Sequence, residues 1–327
     1  MTVSVCVPIY GVEKYIKRCA ISLFEQTYED IEYVFVDDCS PDRSLTILNE
    51  LIENYPRRKK KTKIIRHTIN RGLAAARNSA IENATGDFIL HVDSDDYIER
   101  ETVEKCLQKQ ISGDYDIVSF DFIQNRINYD RQIIQPNFTG GRDMTIKILR
   151  REANHGIWGQ LIRRSLYLDN HISAIEGVNM AEDYYVLCQL SFFATRVTNL
   201  HEFLYHYNLT NENSYTNSFS REKSEQQLVV NRELSSFFED KDKVCYDRLK
   251  IVYIRSVLHQ LRDSLLAGDL EFYYLSIERL DKCERSLFRH IKTREKLPYF
   301  INNVFLNHCY LKMGRFIMRK YREHKYI

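Results

Sequence analysis

Eight cysteines are spread over 327 residues without a Cys-x-x-Cys pair or any metal-finger spacing. That excludes a zinc-finger scaffold and reads as buried thiols in a reducing compartment. Five prolines and eleven glycines are too few for long disordered or repetitive segments. With a formal charge of only +2 there is no bulk attraction to a polyanion, so nucleic acid is not an expected partner. No apolar run reaches bilayer-crossing length, and Met1-Thr2 leads into a β-branched run rather than a signal peptide. These absences predict a cytoplasmic, enzyme-sized globular protein with room for one large domain and an extension, or for two domains.

What is present is alternation. Val3 to Ile9 reads as a buried strand, and Tyr15 to Phe24 as a helix with Ile16, Ala20, Leu23 and Phe24 on one face. Ile31 to Val36 predicts a second strand. Ser40-Pro41 then predicts the cap and first position of a helix carrying Leu45, Leu48, Leu51 and Ile52. Strand, helix and strand continue at Lys63 to Arg66, Leu73 to Asn83 and Phe88 to Val92. Strict alternation implies a parallel sheet covered by helices, with ligands beyond the carboxyl ends of its strands.

From Tyr115 to Asn211 the pattern is mixed. A strand is expected at Asp116 to Phe122, a helix at Met144 to Arg151, and an irregular or short helical piece at Leu161 to Leu168. An amphipathic helix at Ala181 to Ala194 and a strand at Leu204 to Asn208 follow. Beyond Ser220 the signal is almost wholly helical, at Lys223 to Phe238, Val244 to Ala267 and Leu270 to Ile291. The Asn, Ser and Thr cluster from Ser214 to Ser220 marks a boundary.

Asp93-Ser94-Asp95-Asp96 sets three carboxylates where a strand runs out. Like charges that close raise one another's pKa, so a bound hard cation is their natural partner. The plainer alternative is a solvated turn with an Asp cap for a helix beginning near Glu99. Asp37 and Asp38 follow the second strand, as acceptors or as caps. Tyr10, after the rigid Pro8, offers an aromatic face for stacking, or is an ordinary strand-end tyrosine. Arg77 and Asn78 suit a base or phosphate contact, with a surface ion pair as the alternative for Arg77. Glu182-Asp183 open a helix: acids for proton transfer, or acids favoured by the helix dipole. Trp158, between two glycines, reads as a sugar-stacking wall or as core.

The ordered set of motifs carries more than any one of them. Pro8-Ile9-Tyr10-Gly11, Val36-Asp37-Asp38-Cys39-Ser40, Asn70-Arg71-Gly72 with Ala76-Arg77-Asn78, Gly86-Asp87, the acidic quartet, Trp158-Gly159-Gln160-Leu161 and Glu182-Asp183 cover two thirds of the chain. In this order they resemble glycosyltransferase family 2, whose members have the GT-A fold. The resemblance implies an α/β, GT-A mixed sheet flanked by helices, with a helical C-terminal extension. It divides the chain into a transferase domain at 1–215 (nucleotide-binding half 1–110, acceptor half 111–215) and a helical region at 216–327.

The implied activity is inverting, metal-dependent transfer of a sugar from a nucleotide-sugar donor, expected to be a UDP-sugar. The acceptor is a hydroxyl of a glycan or a lipid-linked glycan. By resemblance Pro8, Tyr10, Asp38, Asn70, Arg77 and Asp93 bind the nucleotide, Asp95 holds Mn²⁺ or Mg²⁺, and Asp183 is the catalytic base. Trp158 and Glu182 belong to the acceptor side, while Asp96 is expected to face solvent or cap a helix. Relatives place basic residues or His in the loop after the last strand; here His206 is the candidate diphosphate contact, with Asn213-Ser214 in a mobile lid. Cys39 stands where relatives carry a small Gly.

Two basic features remain. Arg57 to Lys61 with Lys63 reads as a solvated loop. Lys312, Arg315, Arg319 and Arg322 line one face of a C-terminal helix, opposite Met313, Ile317 and Tyr321, which suits peripheral contact with an anionic membrane or packing on its own domain. Among rivals, a sugar nucleotidylyltransferase would need a Gly-rich basic loop after the first strand, and Pro8 to Glu13 is neither. A sugar-nucleotide-binding protein without transferase activity is the second alternative.

Overall fold

The computed structural model describes residues 1–211, 219–301, 304, 306, 307 and 309–312. The candidate lid at Asn213-Ser214 and the basic C-terminal positions beyond Lys312 lie outside the described residues. The chain divides into two compact units, 1–214 and 215–327.

The first unit is built on β1 (Val3–Ile9), α1 (Ile16–Phe24), β2 (Ile31–Asp37), α2 (Ser44–Ile52), α3 (Pro56–Lys59), β3 (Thr62–Arg66), α4 (Leu73–Asn83) and β4 (Phe88–His91). It continues with β5 (Tyr97–Ile98), α5 (Thr102–Gly113), β6 (Ile117–Asn125), β7 (Asp130–Ile133) and α6 (Gly141–Leu149). Then come β8 (Gln160–Arg163), α7 (Ser165–Asp169), α8 (Glu182–Phe193) and β9 (Val197–Asn208). The sheet runs β3-β2-β1-β4-β8-β6-β9-β5, with β7 pairing β6. Strands β3, β2, β1 and β4 are parallel, as the alternation predicts. All seven residues of β1 and of β2 are buried, because helices cover both faces and leave no solvated side for polar alternation.

The second half of the sheet is mixed. β8 inserts antiparallel between β4 and β6, and β9 returns parallel to β6 across a register shift at Phe120–Phe122. The expected irregular piece at Leu161 to Leu168 is therefore half strand, half helix. Glu182–Phe193 is not amphipathic: Glu182, Tyr184 and Val186 to Ser191 are all buried, so the helix is enclosed on most sides.

Two local expectations are corrected. Helix α2 starts at Ser44, not at Pro41, and Ser40 does not cap it; the Ser40 Oγ instead accepts from the Gly11 amide at 3.4 Å. Arg58, in the supposed solvated loop, is only 7% exposed and its guanidinium donates to the carbonyls of Phe24, Gln26, Tyr28 and Glu29. A planar fork of five donors can close off a helix end and the loop after it in one stroke, which a lysine could not.

The second unit contains α9 (Arg221–Phe238), α10 (Lys243–Ala267), α11 (Leu270–Asp281), a 3₁₀ segment at Arg285–His290, and α12 (Thr293–Phe300). Ser220, Asp242 and Asp269 each accept from an amide of the helix they precede, and Gly268 closes α10 at φ +78°. The helix expected over Leu270 to Ile291 breaks after Asp281, where Asp281 to Ser286 offers only Cys283 as an apolar side chain to hold a further turn inside. Among the described residues no helix is long and apolar enough to cross a membrane.

Candidate active site

The functional residues gather at the carboxyl ends of β1, β2 and β4. Pro8 is buried in β1 opposite Val36, and Tyr10, one residue past the strand, is 50% exposed with its ring open to solvent. Asp38 follows β2 and is 3% exposed. Its carboxylate accepts from the Arg71 amide at 2.8 Å, the Gly72 amide at 2.7 Å and His67 Nδ1 at 2.6 Å. Asn70 Oδ1 accepts from the same Gly72 amide at 2.9 Å. Asp38 and Asn70 thus shape the loop before α4, and the His67 Nε2 passes the network on to Ser79 Oγ at 3.0 Å. Cys39 sits at φ +60°, the left-handed backbone that favours glycine.

A second loop lies across this one. Arg71 pairs with Glu176 at 2.9 Å, and Asn179 Oδ1 accepts from the Ala74 amide at 3.0 Å, capping α4 from 105 residues away. Gly72 has φ +90°, and a Cβ there would fall 2.3 Å from Asn179 Nδ2. Only glycine permits this approach. Asn78 contributes too, donating to the Ala174 carbonyl at 2.9 Å and accepting from the Ala174 amide at 2.8 Å.

Arg77 stands at the centre. It is 5% exposed, donating from Nη2 to Asp93 Oδ1 at 2.9 Å and from Nε to Glu182 Oε1 at 3.2 Å. The surface ion pair of the plainer reading is instead a buried bridge between the acids after β4 and the acids opening α8. Burial and the neighbouring Asp183 carboxylate push the Glu182 carboxyl up to about 8, against the opposing guanidinium. Burial likewise raises Asp183, with Arg77 opposing. Arg77 is the one cation hydrogen-bonded to these carboxylates, with Arg151 acting on Asp183 from farther off, and together they do not offset the burial.

The quartet after β4 divides unequally. Asp93 is partly open, and its amide donates to Tyr205 Oη at 3.1 Å. Asp95 accepts from Asn211 Nδ2 at 2.9 Å, and its pKa is raised by burial and by Asp93. Asp96 does not face solvent: it is 0% exposed, accepting from Tyr205 Oη at 2.7 Å and from the Asn208 amide at 2.7 Å. Burial, then Asp95 and Asp93, hold its pKa well above the carboxylate range. Among the described residues no three His, Cys, Asp or Glu side chains form a ready metal-binding group.

Two expected contacts are held elsewhere. Trp158, 7% exposed, stacks on Tyr205 and Tyr207, each with centroids 4.8 Å away, and meets Phe122 edge-on at 4.9 Å. It is a core residue backing the quartet through Tyr205, not an open wall. His206 stacks on Tyr97 at 4.1 Å and pairs Glu99 at 2.7 Å, so its ring is committed to the β5–β9 ladder rather than turned to a diphosphate. His67, Asn179 and Tyr205 are the structural partners that sequence reasoning missed. Only Tyr205, next to the already suspected His206, left a signal.

The sequence profile of Glycosyl transferase family 2 matches residues 4–169, half of the chain. The chain belongs to glycosyltransferase family 2. It is 33% identical over 222 residues to the uncharacterized glycosyltransferase EpsJ of Bacillus subtilis (strain 168), a match covering 65% of this chain and 62% of EpsJ, less than two thirds of that relative. To the putative glycosyltransferase EpsH of the same strain it is 30% identical over 74% of this chain and 70% of EpsH. The crystal structure of S. aureus TarS 1–349 in complex with UDP-GlcNAc superposes with a TM-score of 0.71 at 20% identity, covering 99% of this chain and 92% of that one. That likeness establishes the GT-A fold of the family 2 domain, with its curled mixed sheet. The profile stops before Glu182-Asp183, which reach the site through α8 and Arg77.

Proposed function

We propose that this family 2 domain transfers a sugar, with inversion, from a UDP-sugar to a hydroxyl of a glycan or lipid-linked glycan. The observation that carries the reading is the Arg77 bridge: one buried guanidinium joins Asp93 to Glu182, bringing a diphosphate-type acid cluster and a base-type acid pair to one place. The complex of TarS with UDP-GlcNAc supports the choice of donor.

In this reading Tyr10 stacks on the base while Asp38 and Asn70 hold the loop that frames it. Asp183, raised by burial, takes the proton of the acceptor hydroxyl. As that oxygen bonds to the anomeric carbon, the bond from that carbon to the phosphate oxygen breaks, and the departing diphosphate keeps the electron pair. Glu182 and Arg77 keep Asp183 in register. The donor set fits a hard divalent cation, because Asp95 and Asp93 supply only oxygens and the Asp95 carboxylate accepts from the neutral Asn211 amide, Arg18 donating instead to the Asp95 backbone carbonyl. Bound there by Asp95 and Asp93, Mn²⁺ or Mg²⁺ would neutralise charge on the leaving diphosphate.

The test is Asp183→Asn. We expect kcat to fall about 100- to 10,000-fold, equivalent to roughly 3–5 kcal/mol of barrier, with UDP affinity unchanged. Turnover within a few-fold of wild type would end the assignment of Asp183 as base. No UDP release from any nucleotide sugar by the wild-type protein would favour a binding protein instead.

A further inference from the structure

The loop that follows α6 brings a second cation toward Asp183. At the end of that helix the Arg151 amide donates to the Ile148 carbonyl and the Glu152 amide to the Lys147 carbonyl, both at 2.9 Å. This closure needs a left-handed residue and is usually given glycine, yet Arg151 holds it at φ +59°. Its guanidinium carbon lies 4.7 Å from the centroid of the Tyr184 ring, a buried residue that follows Asp183 on α8. Farther along, Asn154 fixes the loop: its Nδ2 donates to the Trp158 carbonyl at 3.0 Å and its amide to Gln135 Oε1 at 2.7 Å. Most exposed arginines keep many rotamers, whereas this one is set by its backbone and by a ring. Its side chain has no hydrogen-bond or ion-pair partner among the described residues and is exposed. His155, likewise exposed, meets the same Tyr184 ring edge-on with centroids 6.5 Å apart. Burial raises the Asp183 pKa, and Arg77 opposes it first and Arg151 from farther off, so the second guanidinium stands within electrostatic reach of the half-buried carboxylate. A cation at that range weakens a base and adds nothing to proton abstraction. Its use lies with a ligand.

We propose that Arg151, with His155 beside it, binds an anionic group of the acceptor, a carboxylate or a phosphate, next to the hydroxyl that Asp183 deprotonates. The acceptor is then an acidic or phosphate-bearing sugar rather than a neutral one. The planar fork of Arg151 matches two oxygens of either group, and the ring beneath it keeps the fork in place before the acceptor arrives. Once paired with that anion, the guanidinium no longer draws against the base. This inference rests on the transferase reading above and narrows its acceptor.

The experiment is an NMR titration of the full chain, saturated with UDP and Mg²⁺ so that the diphosphate site is closed to other anions. Two matched pairs serve as probes: methyl glucuronide against methyl glucoside, and glycerol 3-phosphate against glycerol. Expected is an advantage of about tenfold for the anion in at least one pair, the size of one charge-assisted contact. An advantage in the first pair marks a carboxylate, in the second a phosphate. Arg151→Met should erase that advantage and leave UDP affinity unchanged, whereas Arg151→Lys, which keeps the charge and loses the fork, should retain part of it. No preference in either pair, a preference that survives Arg151→Met, or an equal loss of UDP affinity in that variant would overturn the proposal while the transferase reading stands. Should the wild-type protein fail to bind UDP, the transferase reading falls and takes this acceptor assignment with it.

Discussion

The acids beside β2 and the acids between β4 and α8 are oppositely provided for. Glu32, at the start of β2, is pushed up by burial but brought down to about 2 by Lys63, Ser4 and Thr85. Asp38, at its end, has two backbone amides and a histidine. Across the site, Asp93 and Glu182 share the Arg77 guanidinium, Arg151 acts on Asp183 from farther off, and Glu182 still rises to about 8. The first group is complete as folded, whereas the second lacks positive charge. Interior carboxylates left short of partners mark a candidate ligand site, which is the reading proposed above.

The contrast is broken most severely by Arg77→Met, which removes the one cation hydrogen-bonded to the deficient group. Unfolding free energy should fall by about 3–5 kcal/mol, read from urea denaturation, because charges are left buried and unpaired. A loss under 1 kcal/mol would show that the acids are already neutral. Asp95→Asn should sharpen the contrast from the ligand side. At one hundred times its dissociation constant, UDP with Mn²⁺ stabilises wild type by about 2.7 kcal/mol, and the variant should lose most of that gain in a thermal shift measurement. Metal-independent UDP binding of equal strength would remove the role proposed for Asp95.

Asp38→Ala tests the complete group. The Arg71 amide loses its acceptor and the Gly72 amide keeps only Asn70 Oδ1, so stability should drop by about 2 kcal/mol with or without metal. A drop that vanished when UDP was present would instead mean that Asp38 serves the ligand more than the loop. The remaining effect is in pH. Glu32, lowered to about 2, adds stability that is lost as pH falls from the ordinary glutamate range toward 2. Glu182, raised to about 8, binds more protons folded than unfolded, so its contribution weakens as pH rises toward 8. Glu182→Gln should flatten the stability profile between pH 5 and 8, and leave the acid limb below pH 4 in place.

The parallel half of the sheet was legible because its strands are continuous apolar runs: Val3–Ile9 matches the expected limits, and Leu73–Asn83 does as well. β8 was not, since Gln160–Arg163 is four residues with polar ends and is a strand only because β4 and β6 flank it. The candidate acids could be found by motif, and their unequal standing could not. Asp96 reads like Asp95 in sequence, and only the folded chain gives it Tyr205 and the Asn208 amide. Arg77 shows the same limit: its two partners lie 16 and 105 residues away, and no local pattern encodes that bridge.

The insertion of β8 also sets a timetable for synthesis. β4 ends at His91, and the strand that covers its open edge starts at Gln160, 69 residues later. At a translation rate of about 5–20 residues per second, β4 waits roughly 3–14 s for its neighbour. During that interval the nascent chain presents Phe88, Ile89 and Leu90 along an unpaired strand edge, a template for sticking to other chains. The antiparallel strand that later joins the two halves of the sheet therefore closes an edge that the nascent chain leaves open.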